Sequence, residues 1–179
     1  MKIGFIGAGN MGEAYISALS KENDVFFYEV SEERRKVILG KYKTISCETV
    51  EEVAEKADYM VVAVKPQVVN KVLINLAKCE IENKTIISIV AGLKISKMED
   101  ILKKKKKVVR VMPNTPALIG KGISGVTFGT NVLKEEEKDI LAIIEATGKA
   151  VVVDESQMDI VTAVSGSGPA YVFMLINSL

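Results

Sequence analysis

Six residues near the amino terminus, Gly7-Ala8-Gly9-Asn10-Met11-Gly12, have the spacing G-x-G-x-x-G. Glycine meets three separate needs at such positions: a tight turn at Gly7, close backbone approach to a pyrophosphate at Gly9, and close helix–strand packing at Gly12. The run follows the apolar stretch Lys2–Ile6 and opens a helix-like segment. Strand, glycine turn and helix thus stand in the order a dinucleotide site requires. The start of that helix, around Ala8, Asn10 and Met11, offers unpaired N–H groups and a positive dipole end to phosphate.

The end of the second strand bears on which dinucleotide. An acidic residue about 20 positions past the first glycine takes the ribose hydroxyls of NAD, and Glu29 falls at that distance. Ser31, Arg34 and Arg35 follow at once. A hydroxyl beside guanidinium groups suits the 2′-phosphate of NADP, although two arginines also make an ordinary solvated helix face. NADP and NAD both stay open as cofactors.

Three further turns follow strand-like runs. Ala63-Val64-Lys65-Pro66 would lie beside the cofactor's ribose and pyrophosphate, because ligands of open α/β sheets sit beyond the carboxyl ends of the strands. Ala91-Gly92 is small enough to leave room for a nicotinamide ring. In Met112-Pro113-Asn114-Thr115-Pro116 the prolines fix a loop, and Asn114 can orient a carboxamide or an imine by hydrogen bonds. Asn114 is the candidate orienting residue, and no residue is assigned as a proton donor. Ser167, at the start of the last helix, is a candidate for a substrate carboxylate. For each turn the competing reading is ordinary loop chemistry.

Histidine is absent from the 179 residues. That removes Ser-His and Cys-His nucleophile pairs and histidine-bound metals, and with them the commonest general acid. No metal site is expected. Net charge is +1, so no global field favours nucleic acid. Cys47 and Cys79 are isolated and read as free thiols in a reducing cytoplasm. The amino terminus carries no secretory pattern, and no apolar run reaches the roughly 18 residues of a membrane span.

The elements that must position these residues alternate. Strands are expected at Lys2–Ile6, Asp24–Val30, Lys43–Ile45, Tyr59–Val64, Thr85–Val90, Val108–Val111, Gly125–Phe128 and Ala150–Val153. Helices are expected at Asn10–Ser20, Glu32–Gly40, Val50–Lys56 (capped by Thr49), Val68–Ala77, Ser96–Leu102 and Glu135–Thr147 (closed by Gly148). Lys103–Lys107 reads as a solvated helix end. Continuous β-branched runs between helices point to a parallel sheet covered on both faces, a doubly wound α/β fold of Rossmann type. Helix Gln157–Val164 is followed by Ser165-Gly166-Ser167-Gly168-Pro169 and then an apolar helix from Ala170, within which the sequence stops. A helix apolar nearly all round has to be buried. Another subunit or a longer natural chain is expected to cover it.

Together Ile6–Gly12, Ala63–Pro66, Ala91-Gly92, Met112–Pro116 and Val164-Ser165-Gly166-Ser167-Gly168-Pro169-Ala170-Tyr171 resemble pyrroline-5-carboxylate reductase along essentially the whole chain. The resemblance implies an NAD(P)H-dependent oxidoreductase that reduces 1-pyrroline-5-carboxylate, a cyclic imine carboxylate, to L-proline. It implies a homodimer or larger homo-oligomer, with 1–156 as the dinucleotide-binding domain and 157–179 as the start of an incomplete all-helical dimerisation domain. It also implies a Ser-Pro-Gly-Gly-Thr-type substrate segment, which this sequence lacks. The alternatives are a related hydroxy-acid dehydrogenase, which would need a positioned base, and a non-catalytic nucleotide-binding module.

Overall fold

The computed structural model describes residues 1–103 and 106–179. The central part of the lysine run at Lys103–Lys107 lies outside the described residues. The elements run β1 (Lys2–Ile6), α1 (Asn10–Leu19), β2 (Asp24–Tyr28), α2 (Glu32–Lys41), β3 (Ile45–Ser46), α3 (Val50–Lys56) and β4 (Tyr59–Val62). Then follow α4 (Val69–Leu76), β5 (Thr85–Ser88), α5 (Ile95–Ile101), β6 (Lys107–Met112), β7 (Gly122–Phe128), α6 (Glu137–Glu145) and β8 (Gly148–Val152). The eight strands form one sheet in the order β3-β2-β1-β4-β5-β6-β7-β8.

Alternate strand residues enter opposite cores. Met60, Val62, Ile86 and Val108 pack with Val53 of α3 and Leu73 and Leu76 of α4 on one face. Val61, Ile87 and Val109 pack with Ile16 of α1 and Ile143 of α6 on the other. Period-two alternation of apolar side chains on both faces is the mark of a strand buried between helices. Each such aliphatic side chain contributes roughly 1.5–3 kcal/mol by leaving water.

The sheet departs from the all-parallel expectation at one place. β7 runs antiparallel to β6, with Val109 opposite Phe128 and Met112 opposite Gly125. The link between them contains only a short 3-10 turn, Thr115–Ile119. A link without a crossover helix can only turn the chain back beside itself. Parallel pairing resumes between β7 and β8, across α6. Gly148, expected to close α6, instead opens β8 opposite Gly122.

The C-terminal region departs further. Beyond a 3-10 turn at Glu155–Gln157, α7 (Met158–Val161) passes through a π-helical turn (Thr162–Gly166) into α8 (Gly168–Asn177). The Ser-Gly-Ser-Gly-Pro segment was expected to separate two helices. It widens one helix instead, because Ser167 N–H reaches back five residues to Thr162 O at 3.0 Å. The result is one helical run, Glu155–Asn177, with mean hydropathy 1.3 over its most apolar window. By length and mean hydropathy that run passes for a membrane span, although Glu155, Asp159 and the Ser-Gly-Ser-Gly segment interrupt it and no continuous apolar run reaches 18 residues; a helix destined for an apolar protein core passes the same test. α7 packs on the sheet, since Met158 and Val161 lie against Gly125 of β7.

Candidate functional site

The three glycines of the turn are held for different reasons. Gly7 has φ +94° and donates its N–H to Tyr28 O at 2.8 Å, fixing the turn between β1 and α1. A Cβ on Gly12 would stand 2.6 Å from Gly7 O, so α1 approaches β1 only because Gly12 has none. Gly9 differs from both. Its φ of −63° suits any residue, it is exposed, and a Cβ there would meet no atom of the described residues within 4 Å. Nothing inside the molecule requires glycine at position 9, so the requirement points to whatever occupies the space outside it.

The helix that begins beside Gly9 is open in the same direction. Ser31 Oγ accepts the Arg34 N–H at the start of α2, and Thr49 Oγ1 accepts the Glu52 N–H at the start of α3. Among the described residues no side chain caps α1. Its leading N–H groups and its positive dipole end face the open side of the turn, as an anion site requires.

A cavity of about 600 Å³ lies against this turn, within the range of small-molecule sites. It brings together eight of the residues singled out in the sequence: Gly7, Gly9, Glu29, Ser31, Arg34, Ala63, Val64 and Lys65. Ala8, Asn10 and Met11 form the turn and the first residues of α1 behind it. Sequence reasoning missed the far wall, where Val68, Lys71, Val72 and Asn75 line the cavity from α4 and its approach, with Tyr28 and Val50 nearby. A signal existed, since positions 68, 71, 72 and 75 follow helical spacing on one stripe.

Several charged groups around the turn are held by hydrogen bonds or ion pairs within the chain. Glu29 Oε2 accepts the Ala8 N–H at 2.8 Å and Oε1 accepts the Ser31 N–H at 3.0 Å. Arg34 Nε donates to Ala8 O at 2.6 Å, and its Nη2 donates to Glu13 Oε2 in a close ion pair. Glu13 Oε1 accepts from Lys41 Nζ at 3.1 Å and Tyr42 Oη at 2.9 Å. Burial opposes the charge on Glu13, yet the hydrogen bonds from Tyr42, Lys41 and Arg34 outweigh it and hold the carboxyl below its ordinary value. Ser31 and Arg34, read in the sequence as candidates for a 2′-phosphate, both line the cavity, where Ser31 also caps α2 and Arg34 also pairs with Glu13.

Along the same sheet edge, past the cavity lining, come the ends of β5 and β6. Ser88 Oγ accepts the Val90 N–H at 3.2 Å and shapes the turn into Ala91 and Gly92, which are exposed. Asn114 ties two elements together: Oδ1 accepts the Ile123 N–H at 3.0 Å and Nδ2 donates to Ser165 Oγ at 3.2 Å. Gly166 lies against the Met112 side chain, where a Cβ would be 2.7 Å from Cε. The structure therefore brings the Asn114 loop and the π turn into one cluster. Ser167 Oγ donates to Thr162 O at 3.3 Å and so serves the π turn.

Comparison with known proteins follows this division of the chain. A family model described as NADP oxidoreductase, coenzyme F420-dependent, matches residues 2–92. One described as pyrroline-5-carboxylate reductase dimerisation matches residues 155–179. The pyrroline-5-carboxylate reductase of Escherichia coli (strain K12) is 36% identical over 183 residues, covering 99% of this chain and 68% of that protein. The enzyme of that name from Methanosarcina acetivorans is 39% identical with the same coverage. Among solved structures, a pyrroline-5-carboxylate reductase from Coxiella burnetii superposes with a TM-score of 0.92 at 30% identity, covering 99% of this chain and 68% of its own. A Plasmodium falciparum pyrroline carboxylate reductase with NADP bound gives 0.89 at 35% identity, covering 100% and 67%. Prephenate dehydrogenase from A. aeolicus, at 18% identity and 0.75, shares the fold alone.

Proposed function

This chain belongs to the pyrroline-5-carboxylate reductase family, and from that premise we propose that the carboxyl edge of its sheet holds NADPH or NADH for reduction of 1-pyrroline-5-carboxylate to L-proline. One observation carries the placement. Gly9 has no reason within the chain to be glycine, and it faces open space between an uncapped helix start and a cavity of about 600 Å³. A pyrophosphate fits there, with Gly9, Asn10 and Met11 supplying N–H donors and Lys65 a cation from the opposite side. The adenosine half would lie toward Glu29, Val64 and Val68. The nicotinamide would lie between Ala91 and Asn114, where small residues leave room for a ring.

The chemistry asks little acid–base work of the chain. A cyclic imine is basic enough to enter as an iminium. When bound, the reduced nicotinamide supplies the hydride that adds to the imine carbon, while the nitrogen keeps its proton. A site without histidine suits such an acceptor, whereas oxidation of a hydroxy acid would need a positioned base. What remains for the protein is placement of the reacting atoms within about 3–3.5 Å of each other. The Asn114–Ser165 bond serves that end by fixing the loop at the end of β6 against the C-terminal helix.

Residues 1–156 are the dinucleotide-binding domain, and 157–179 begin a helical domain whose exposed apolar face packs in a homodimer. The free thiols suit a cytoplasmic protein, and burial pushes the Cys47 thiol up to about 11, so it stays protonated and inert. The test is turnover of 1-pyrroline-5-carboxylate by the purified protein, followed by the absorbance of the reduced nicotinamide. Stoichiometric formation of L-proline is expected with at least one of the two cofactors. Cofactor binding without turnover would reduce the protein to a nucleotide-binding module.

A further inference from the structure

Glu29 sits on the cavity wall just past the end of β2. Two backbone N–H groups, from Ala8 and Ser31, fix its carboxylate and leave each oxygen one further lone pair. Two fixed acceptors side by side match the adjacent 2′- and 3′-hydroxyls of an adenosine ribose. They do not match a 2′-phosphate, which would set its negative charge against the carboxylate.

The cation that could offset such a phosphate is already engaged. Arg34 donates through Nε to Ala8 O and through Nη2 to Glu13, and its side chain is only 26% exposed. Glu13, 18% exposed, is fixed in turn by Lys41 and Tyr42. Arg35, the next guanidinium, is turned to Glu48 at 3.0 Å. Ser31 Oγ accepts the Arg34 N–H as the cap of α2, and its hydroxyl can still donate one bond but brings no charge to offset a phosphate. The remaining cations on the lining, Lys65 and Lys71, come from the turn after β4 and from α4 on the facing wall.

We propose that this chain selects NADH over NADPH, with Glu29 reading the ribose diol and Glu13 acting as a positioning residue that withholds Arg34 from a 2′-phosphate. The proposal rests on the reading of this cavity as the cofactor site. It separates this chain from the Plasmodium falciparum relative, whose structure has NADP bound.

Titration of the purified full chain with NADH and with NADPH, followed by nicotinamide fluorescence without imine, tests it. Wild type should bind NADH at least about tenfold more tightly. Glu29→Gln should bring the two dissociation constants close together, by weakening NADH and strengthening NADPH. Glu13→Gln should improve NADPH relative to NADH by about fivefold, because Arg34 is released toward the phosphate. A merely structural Glu13 would change both affinities by the same factor and leave their ratio fixed. Equal or tighter NADPH binding by wild type, or an unmoved ratio in Glu13→Gln, overturns the inference while leaving the reductase reading in place. Failure of both cofactors to bind removes the site itself and the inference with it. The wild-type ratio decides the matter even if a variant does not fold.

Discussion

Helices α4 and α8 are both short and rich in aliphatic side chains, yet α4 buries Val69, Val72, Leu73 and Leu76 in the core whereas every residue from Ala170 onward is exposed. The difference lies in where the polar residues fall. α4 alternates its apolar stripe with Asn70, Lys71 and Asn75, so one face enters the core and the other is left to line a cavity. α8 runs Ala170-Tyr171-Val172-Phe173-Met174-Leu175-Ile176 with no polar face to turn outward. The cavity proposed for the adenosine half is therefore built from one chain's own packing. The region proposed to receive the imine borders a helix whose apolar surface the described residues leave exposed.

Substitutions at the glycine turn should break the comparison most sharply. Gly9→Val should weaken NADH and NADPH alike by about a hundredfold, roughly 3 kcal/mol. It should leave the melting temperature unchanged, because a Cβ at position 9 meets nothing within 4 Å among the described residues. Gly12→Val should instead lower stability, since its Cβ would strike Gly7 O. Calorimetric melting beside cofactor titration separates the two. Equal effects of both variants on stability would mean that Gly9 is a structural glycine too.

The C-terminal helix should respond in the opposite sense. Phe173 is 60% exposed, and Phe173→Lys should dissociate the proposed dimer while leaving NADH affinity within about twofold. Light scattering and the same titration read the two outcomes. A dimer that survives this change would place the interface elsewhere.

An ion pair joins the two regions. Arg110 on β6 is 4% exposed and meets Glu155 at 3.1 Å and Asp159 at 3.4 Å, at the start of the C-terminal helix. Glu155 also accepts the Ile95 N–H at 2.8 Å. Glu155→Ala should cost about 2 kcal/mol in chemical denaturation, less than for a fully buried pair because Glu155 is 33% exposed and Asp159 remains. No measurable loss would show that the sheet and the helix are held together by packing alone.

How much of this was legible beforehand depended on whether the signal was local. β1 and the glycine turn could be read directly, because a strand, a turn and a helix carry their reasons in adjacent residues. Thr49 as the cap of α3 was equally local. The antiparallel β7 was not, since the shortness of the Thr115–Ile119 link becomes informative only once β6 and β7 are known to be neighbours. The π turn was missed because Ser-Gly-Ser-Gly-Pro reads as a breaker, while its hydrogen bonds reach back to Thr162. The ion pair of Arg34 depended on Glu13, which is far from it in sequence.

The smallest expected effect concerns pH. The hydrogen bonds that hold the Glu13 carboxyl below its ordinary value stabilise the fold wherever it is ionised in both states. Because the folded value is the depressed one, that contribution is present above the ordinary value of 4.5 and fades as pH falls through the lower folded value. The stability difference between wild type and Glu13→Gln should thus be flat around neutral pH and shrink in acid. A difference that grew in acid would reverse the assignment.

The central claim is that the open side of Gly9 is where a pyrophosphate lies. A crystal structure of the protein with NADH tests it most directly. We expect the pyrophosphate against the N–H groups of Gly9, Asn10 and Met11, the adenosine ribose on Glu29, and the nicotinamide between Ala91 and Asn114. A cofactor bound with its pyrophosphate away from the start of α1 would contradict the account.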